Sequence, residues 1–151
     1  MSLKERIGED IKLAMKAKDK LRLQTVRSIK KAILDKEVDV RPKGQDSLTE
    51  EQEIELLSQQ AKQRRDSIEQ FHNGGRDDLA DKESQELAII ETYLPEQVSD
   101  SELAAIIDEI IAGCGAVSAK DLGKVMGQAM KQLKGKADGK KIQALVKSKL
   151  A

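Results

Sequence analysis

Apolar residues recur three and four positions apart along almost the whole chain, a spacing that predicts helices. Ser2-Leu3-Lys4-Glu5 reads as a capping box, in which the serine oxygen accepts an orphan amide and the glutamate reaches back. Leu3, Ile7, Ile11, Ala14 and Met15 follow at helical intervals. After a break near Lys18-Asp19, a second run carries Leu23, Val26, Ile29, Ile33 and Leu34. Val38 to Ser47 holds Pro42 and Gly44 without a period and reads as a loop. Thr49-Glu50-Glu51-Gln52 opens a third helix with Ile54, Leu57, Ala61, Ile68 and Phe71. Asn73-Gly74-Gly75 stops it with residues that tolerate the left-handed conformation. A fourth helix begins near Asp77, carries Leu79, Glu83, Leu87, Ile90 and Leu94, and ends at Pro95.

Three shorter helices are predicted after Pro95. Ser99-Asp100-Ser101-Glu102 is a second capping box, leading into Leu103, Ile106, Ile107, Ile110 and Ile111, with Gly113 and Gly115 flanking Cys114 at the stop. Ser118-Ala119-Lys120-Asp121 starts the next, with Leu122, Val125, Met126, Ala129, Met130 and Leu133 apolar. Asp138 is placed to cap the last, which carries Ile142, Leu145, Val146 and Leu150. No segment alternates with period two, so strands are not predicted. The expected fold is all-α: a four-helix domain of two hairpins over residues 1–95, then a three-helix domain over residues 96–151. Neither hairpin buries its stripe alone, so the two should pack together.

Composition narrows the classes. Of 151 residues, 36% are charged, 38% hydrophobic and 1% aromatic, and it is the regular apolar spacing that argues against a disordered polyampholyte. No apolar run approaches the roughly 18–20 residues of a spanning helix, and Cys114 has no partner for a disulfide. The first residues lack the apolar stretch of a secretory signal. The expectation is a cytoplasmic protein with a reduced thiol and no membrane contact.

The formal net charge is zero, from 27 basic and 27 acidic side chains, but it is unevenly spread. Residues 1–44 hold 13 basic and 7 acidic groups, a net of +6. Residues 45–111 hold 5 and 18, a net of −13, and residues 112–151 hold 9 and 2, a net of +7. The basic end suits a polyanion, which the acidic middle would repel and orient; both blocks also fit plain solvated helix faces.

Enzyme chemistry finds little support. The single His72 sits in a helix's last turn, where a cation suits the dipole, and Cys114 sits between glycines at a helix end. Asp77, Asp78 and Asp81 resemble a magnesium set, but acidic groups belong in a helix's first turn on electrostatic grounds alone. Gly135-Lys136-Ala137-Asp138-Gly139-Lys140-Lys141 has one residue too few for a phosphate loop, ends in lysine and follows no strand. No catalytic set, metal or cofactor is predicted.

At about 100° per residue, Lys120, Lys124, Lys131 and Lys134 share one stripe of the sixth helix, opposite Leu122, Val125, Met126, Ala129 and Leu133. Gly127 lies within that stripe and Gly123 at its edge. A mid-helix glycine costs roughly 1 kcal/mol relative to alanine. Either a ligand or a neighbouring helix approaches the backbone there. Lys136, Lys140 and Lys141 continue the basic pattern around the last helix's N-terminus, where free amides favour anions. With only Phe71 and Tyr93 as aromatics, shape and phosphate reading of folded RNA fits better than stacking on single strands.

Arg64-Arg65-Asp66-Ser67-Ile68-Glu69-Gln70-Phe71, Gly75-Arg76-Asp77-Asp78-Leu79-Ala80, Lys82-Glu83, Glu86-Leu87 and Tyr93-Leu94-Pro95 resemble the YqeY-like family. Gly123-Lys124-Val125-Met126-Gly127 and Lys134-Gly135-Lys136-Ala137-Asp138-Gly139 look like its second motif, so the resemblance spans nearly the whole chain. It implies the fold of the C-terminal tail of the B subunit of bacterial aspartyl/glutamyl-tRNA amidotransferase, which helps hold tRNA. The cradle domain of that subunit has no counterpart here. The resemblance implies a tRNA-binding role, and the lysine face read from the spacing, Lys120, Lys124, Gly127, Lys131, Lys134, Lys136, Lys140 and Lys141, is the expected contact surface. The alternatives are a module docking on the amidotransferase subunits, an aminoacyl-tRNA synthetase or another acidic partner, and a glutamine-dependent carbon–nitrogen ligase component. For the first motif, Arg64, Arg76, Asp78, Leu79, Glu83, Glu86, Tyr93 and Pro95, the expected role is structural: arginines pairing with acids, and Tyr93 closing the domain boundary.

Overall fold

The computed structural model describes residues Met1–Ala151, entirely helical apart from turns, with no strand. It divides into two compact units, Met1–Leu94 and Pro95–Ala151.

In the first unit α1 (Leu3–Lys16) and α2 (Lys20–Val40) form one hairpin, and α3 (Glu50–Asn73) and α4 (Asp77–Glu91) form another. Ser2 and Glu5 make the reciprocal capping box at α1, and Thr49 and Gln52 make one at α3. The break between α1 and α2 turns on Lys18, which adopts a left-handed φ of 56°. Between α3 and α4 the left-handed residue is Gly75 alone, at φ 74°; Gly74 is not left-handed. Leu3, Ile7, Val26, Ile29, Ile33, Leu57, Ala61, Ile90 and Tyr93 form one core drawn from all four helices and the turn after α4. Full burial of each large aliphatic contributes about 1.5–3 kcal/mol. The buried Glu37 carboxylate is matched by Lys4 at 3.0 Å, which also ties the N-terminus of α1 to the far end of α2.

Four expectations change. The expected loop from Val38 starts later, because α2 runs to Val40, whose side chain is buried; a 3₁₀ turn, Arg41–Lys43, then carries Pro42 in its first turn, where a missing amide costs nothing. Helix α4 ends at Glu91 and not at Pro95: Thr92, Tyr93 and Leu94 fold back as turns onto the carbonyls of Ile89, Ile90 and Glu91. Met15 and Leu34, assigned to core stripes, are exposed, since each lies one position past the buried arc of its helix. Met130 is exposed for the same reason, next to the buried Ala129.

In the second unit α5 (Asp100–Cys114), a 3₁₀ turn (Ala119–Asp121), α6 (Leu122–Gln132) and α7 (Gly139–Leu150) enclose a separate core. It comprises Leu103, Ile107, Ile110, Val125, Ala129, Leu133, Ile142, Val146 and Leu150. Helices α5 and α7 run in the same direction, because Lys141 pairs with Asp100 at 2.8 Å and Lys149 with Asp108 at 2.6 Å. At α5 the Ser99 oxygen accepts from the Glu102 amide, and Asp138 caps α7 by accepting from the Lys140 amide.

Candidate nucleic-acid interface

Helix α6 is held at its start by Ser118 and Asp121. The serine oxygen caps the 3₁₀ turn, and the aspartate accepts from the amides of Val117 and Ser118 at 3.0 and 3.4 Å. Val125, Ala129 and Leu133 are buried, which turns Lys124, Gly127 and Lys131 to the outside. Lys124 and Lys131 are two turns apart, about 10 Å along the axis, and Gly127 lies between them.

A Cβ added at Gly123 or at Gly127 would meet no atom within 4 Å. The alternative in which these glycines admit a neighbouring helix is therefore overturned: nothing in the chain approaches the backbone there. What remains is a length of bare helix backbone open to solvent and bordered by ammonium groups.

The predicted lysines are all exposed, but they do not converge on one point. Lys124 Nζ donates to the Cys114 carbonyl at 3.4 Å, at the C-terminal end of α5, where a cation suits the orphan carbonyls. Lys141 pairs with Asp100 at the opposite end of α5, about 20 Å away. Lys120, Lys124 and Lys131 thus follow α6, and Lys134, Lys136, Lys140 and Lys141 follow the turn into α7. Lys134 and Lys140 each have an interaction within the chain. Exposed pairs such as Lys141–Asp100 contribute 1 kcal/mol or less, so a polyanion can displace the carboxylate.

Gln97 was not singled out by the sequence. Its amide donates to the carbonyls of Gly135 at 2.7 Å and Pro95 at 2.9 Å, and the Val98 amide donates to the Lys136 carbonyl at 3.0 Å. These bonds clamp the lysine-bearing turn to the segment before α5. Gly135 is buried within it at φ 74°, a conformation that strains any side chain. No periodic signal marks Gln97, whose partners lie 38 residues away.

The first motif lies in the other unit. Arg64 on α3 approaches Glu86 at 3.0 Å and Glu83 at 3.5 Å on α4, with all three side chains largely buried. The approaches are ionic contacts without hydrogen-bond alignment, so Arg64 Nε and Glu83 Oε2 are buried with no hydrogen bond. Burial, and then repulsion from Glu86, push the Glu83 carboxyl up from its ordinary value. Arg65 reaches Glu91 at 3.6 Å. Arg76 makes a two-pronged contact with Asp78, both bonds 3.2 Å, and that hydrogen bonding lowers the Asp78 carboxyl. His72 Nδ1 lies 2.9 Å from Asp77 across the α3–α4 turn. Leu79 is half-buried after Arg76, and its amide bonds the Arg76 carbonyl. Asp77, Asp78 and Asp81 form no metal-holding cluster. Tyr93 is buried in the core, donates to Asp10 and carries the Arg6 guanidinium 5.1 Å over its ring, so it fastens the end of this unit to α1. Pro95 begins the second unit.

A family model described as Yqey-like protein matches residues 4–150. Curated relatives named "Altered inheritance of mitochondria protein 41, mitochondrial" are similar to the chain. The protein of Pyrenophora tritici-repentis is 32% identical over 151 residues, covering 95% of this chain and 81% of its own length. That of Vanderwaltozyma polyspora is 33% identical over 123 residues, 77% of this chain and 64% of its own. That of Eremothecium gossypii is 38% identical over 107 residues, 70% and 57%. The matched regions span less than two thirds of the latter two. No helix of this chain is long and apolar enough to cross a membrane.

Proposed function

The chain belongs to the YqeY-like family, and from that membership we propose that it is a non-catalytic tRNA-binding protein whose contact surface is the lysine-bordered face of α6 and the turn into α7. One observation carries the reading: Gly127 stands open between Lys124 and Lys131 with nothing of the chain near it. An exposed mid-helix glycine forfeits roughly 1 kcal/mol and gains no packing in return. Close approach of a sugar–phosphate backbone gives that position a use.

In this reading the ammonium groups neutralise phosphates and release their counterions. The bundle supplies a rigid contour, and no base is stacked, since neither Phe71 nor Tyr93 belongs to this unit. Such work requires an aqueous compartment that holds tRNA, the cytoplasm or an organelle matrix. The test is recovery of the tagged full chain from lysate with and without ribonuclease. Bound tRNA is expected in the untreated sample and its loss after treatment. Absence of tRNA from the untreated sample, together with no tRNA retention by purified chain in low salt, contradicts the reading.

A further inference from the structure

Another patterned surface lies in the first unit, on α2. Its buried arc is Thr25, Val26, Ile29, Ile33, Glu37 and Val40. Away from that arc, Lys20, Arg27, Lys31, Leu34 and Val38 fall in one stripe at intervals of seven, four, three and four, all exposed, over about 27 Å of helix. Leu34 is 41% and Val38 58% exposed, unusual for large aliphatics in adjacent turns of one face. Lys20, Arg27 and Lys31 have no ion-pair partner in the chain, whereas Lys4, on the neighbouring helix, does. The line is cationic over its N-terminal half and apolar over its C-terminal half.

We propose that this crest docks an acidic amphipathic helix of a partner protein, with carboxylates against Arg27 and Lys31 and aliphatic side chains against Leu34 and Val38. Charge complementarity selects the acidic partner. The aliphatic pair favours protein over nucleic acid, because phosphates gain nothing by covering Leu34 and Val38. Asp35, Asp39 and Glu55, with Lys36, line the groove on one side, whereas on the other Glu5 and Glu9 line a depression together with Lys12 and Lys30. A polyphosphate track wide enough to enter the first groove would meet its excess of carboxylates, while a single helix rests on the crest alone.

The experiment places a photo-crosslinking amino acid at Val38 in the full chain, expressed in its source cells, and identifies the crosslinked segment by mass spectrometry. The expected product is one protein segment with carboxylates three and four residues apart beside aliphatics. Arg27→Glu with Lys31→Glu should cut that product at least tenfold without moving the melting midpoint, and Lys124→Glu with Lys131→Glu should leave it unchanged. Adducts to RNA or lipid, adducts to segments without acidic helical patterning, insensitivity to the Arg27 and Lys31 reversals, or no adduct would each overturn the proposal.

Discussion

The Tyr93 hydroxyl donates a hydrogen bond to the Asp10 carboxylate, 83 positions earlier in the chain. One bond thereby joins the first helix of the N-terminal unit to the turn that ends it, with Arg6 over the same ring. Tyr93→Phe keeps the ring in the core and leaves the carboxylate without its donor. The expected cost is about 1–2 kcal/mol, read as a lower melting midpoint. An unchanged midpoint would show that water replaces the hydroxyl at no cost.

The same contact sets an alkaline limit. Burial first, then the Asp10 hydrogen bond and charge, raise the phenol well above its ordinary value of 10.0. The folded chain therefore holds this proton more tightly than the unfolded one. The contribution is complete below the unfolded value and is lost as pH climbs through the folded one. The stability gap between parent and Tyr93→Phe should narrow above about pH 10; a constant gap would contradict it.

Arg64, Glu83 and Glu86 form a triad with one cation for two carboxylates. Arg64→Leu leaves the acids facing each other and should cost about 3 kcal/mol at neutral pH, with part recovered in acid. Glu83→Gln should do the reverse. Because burial and Glu86 raise the Glu83 carboxyl, its ionisation opposes folding as pH rises through the folded value. The glutamine variant should match or exceed the parent at neutral pH and lose that advantage below pH 4.5, the ordinary value. Denaturant melts at the two pH values check both.

Much of this was legible in the sequence. Apolar spacing located all seven helices, and Ser2, Thr49, Ser99 and Asp138 marked helix starts, because both signals are local. Spacing could not separate Ile33 from Leu34, or Ala129 from Met130, since neighbouring apolar residues both fit a 3.6 period until a packing partner chooses one. Tyr93–Asp10 and the Gln97 clamp were invisible because their partners lie far along the chain. For the candidate site, the lysine stripe and its glycine were readable. The openness around Gly127 required coordinates.

Gly127→Ala separates folding from binding. The added methyl meets nothing within 4 Å and removes the glycine penalty, so the second unit should gain roughly 1 kcal/mol. If a phosphate backbone approaches there, tRNA affinity should fall several-fold in this more stable variant. Greater stability with undiminished affinity would remove Gly127 from the contact.

The most direct test of the proposed function is the slope of log affinity for tRNA against log salt concentration, measured for the parent and for Lys124→Glu with Lys131→Glu. Binding should weaken and the slope should become shallower by about 2, one unit for each lost phosphate contact, while Arg27→Glu with Lys31→Glu leaves the slope alone. A parent with no measurable tRNA affinity at low salt, or an identical slope in the Lys124 and Lys131 variant, would contradict it.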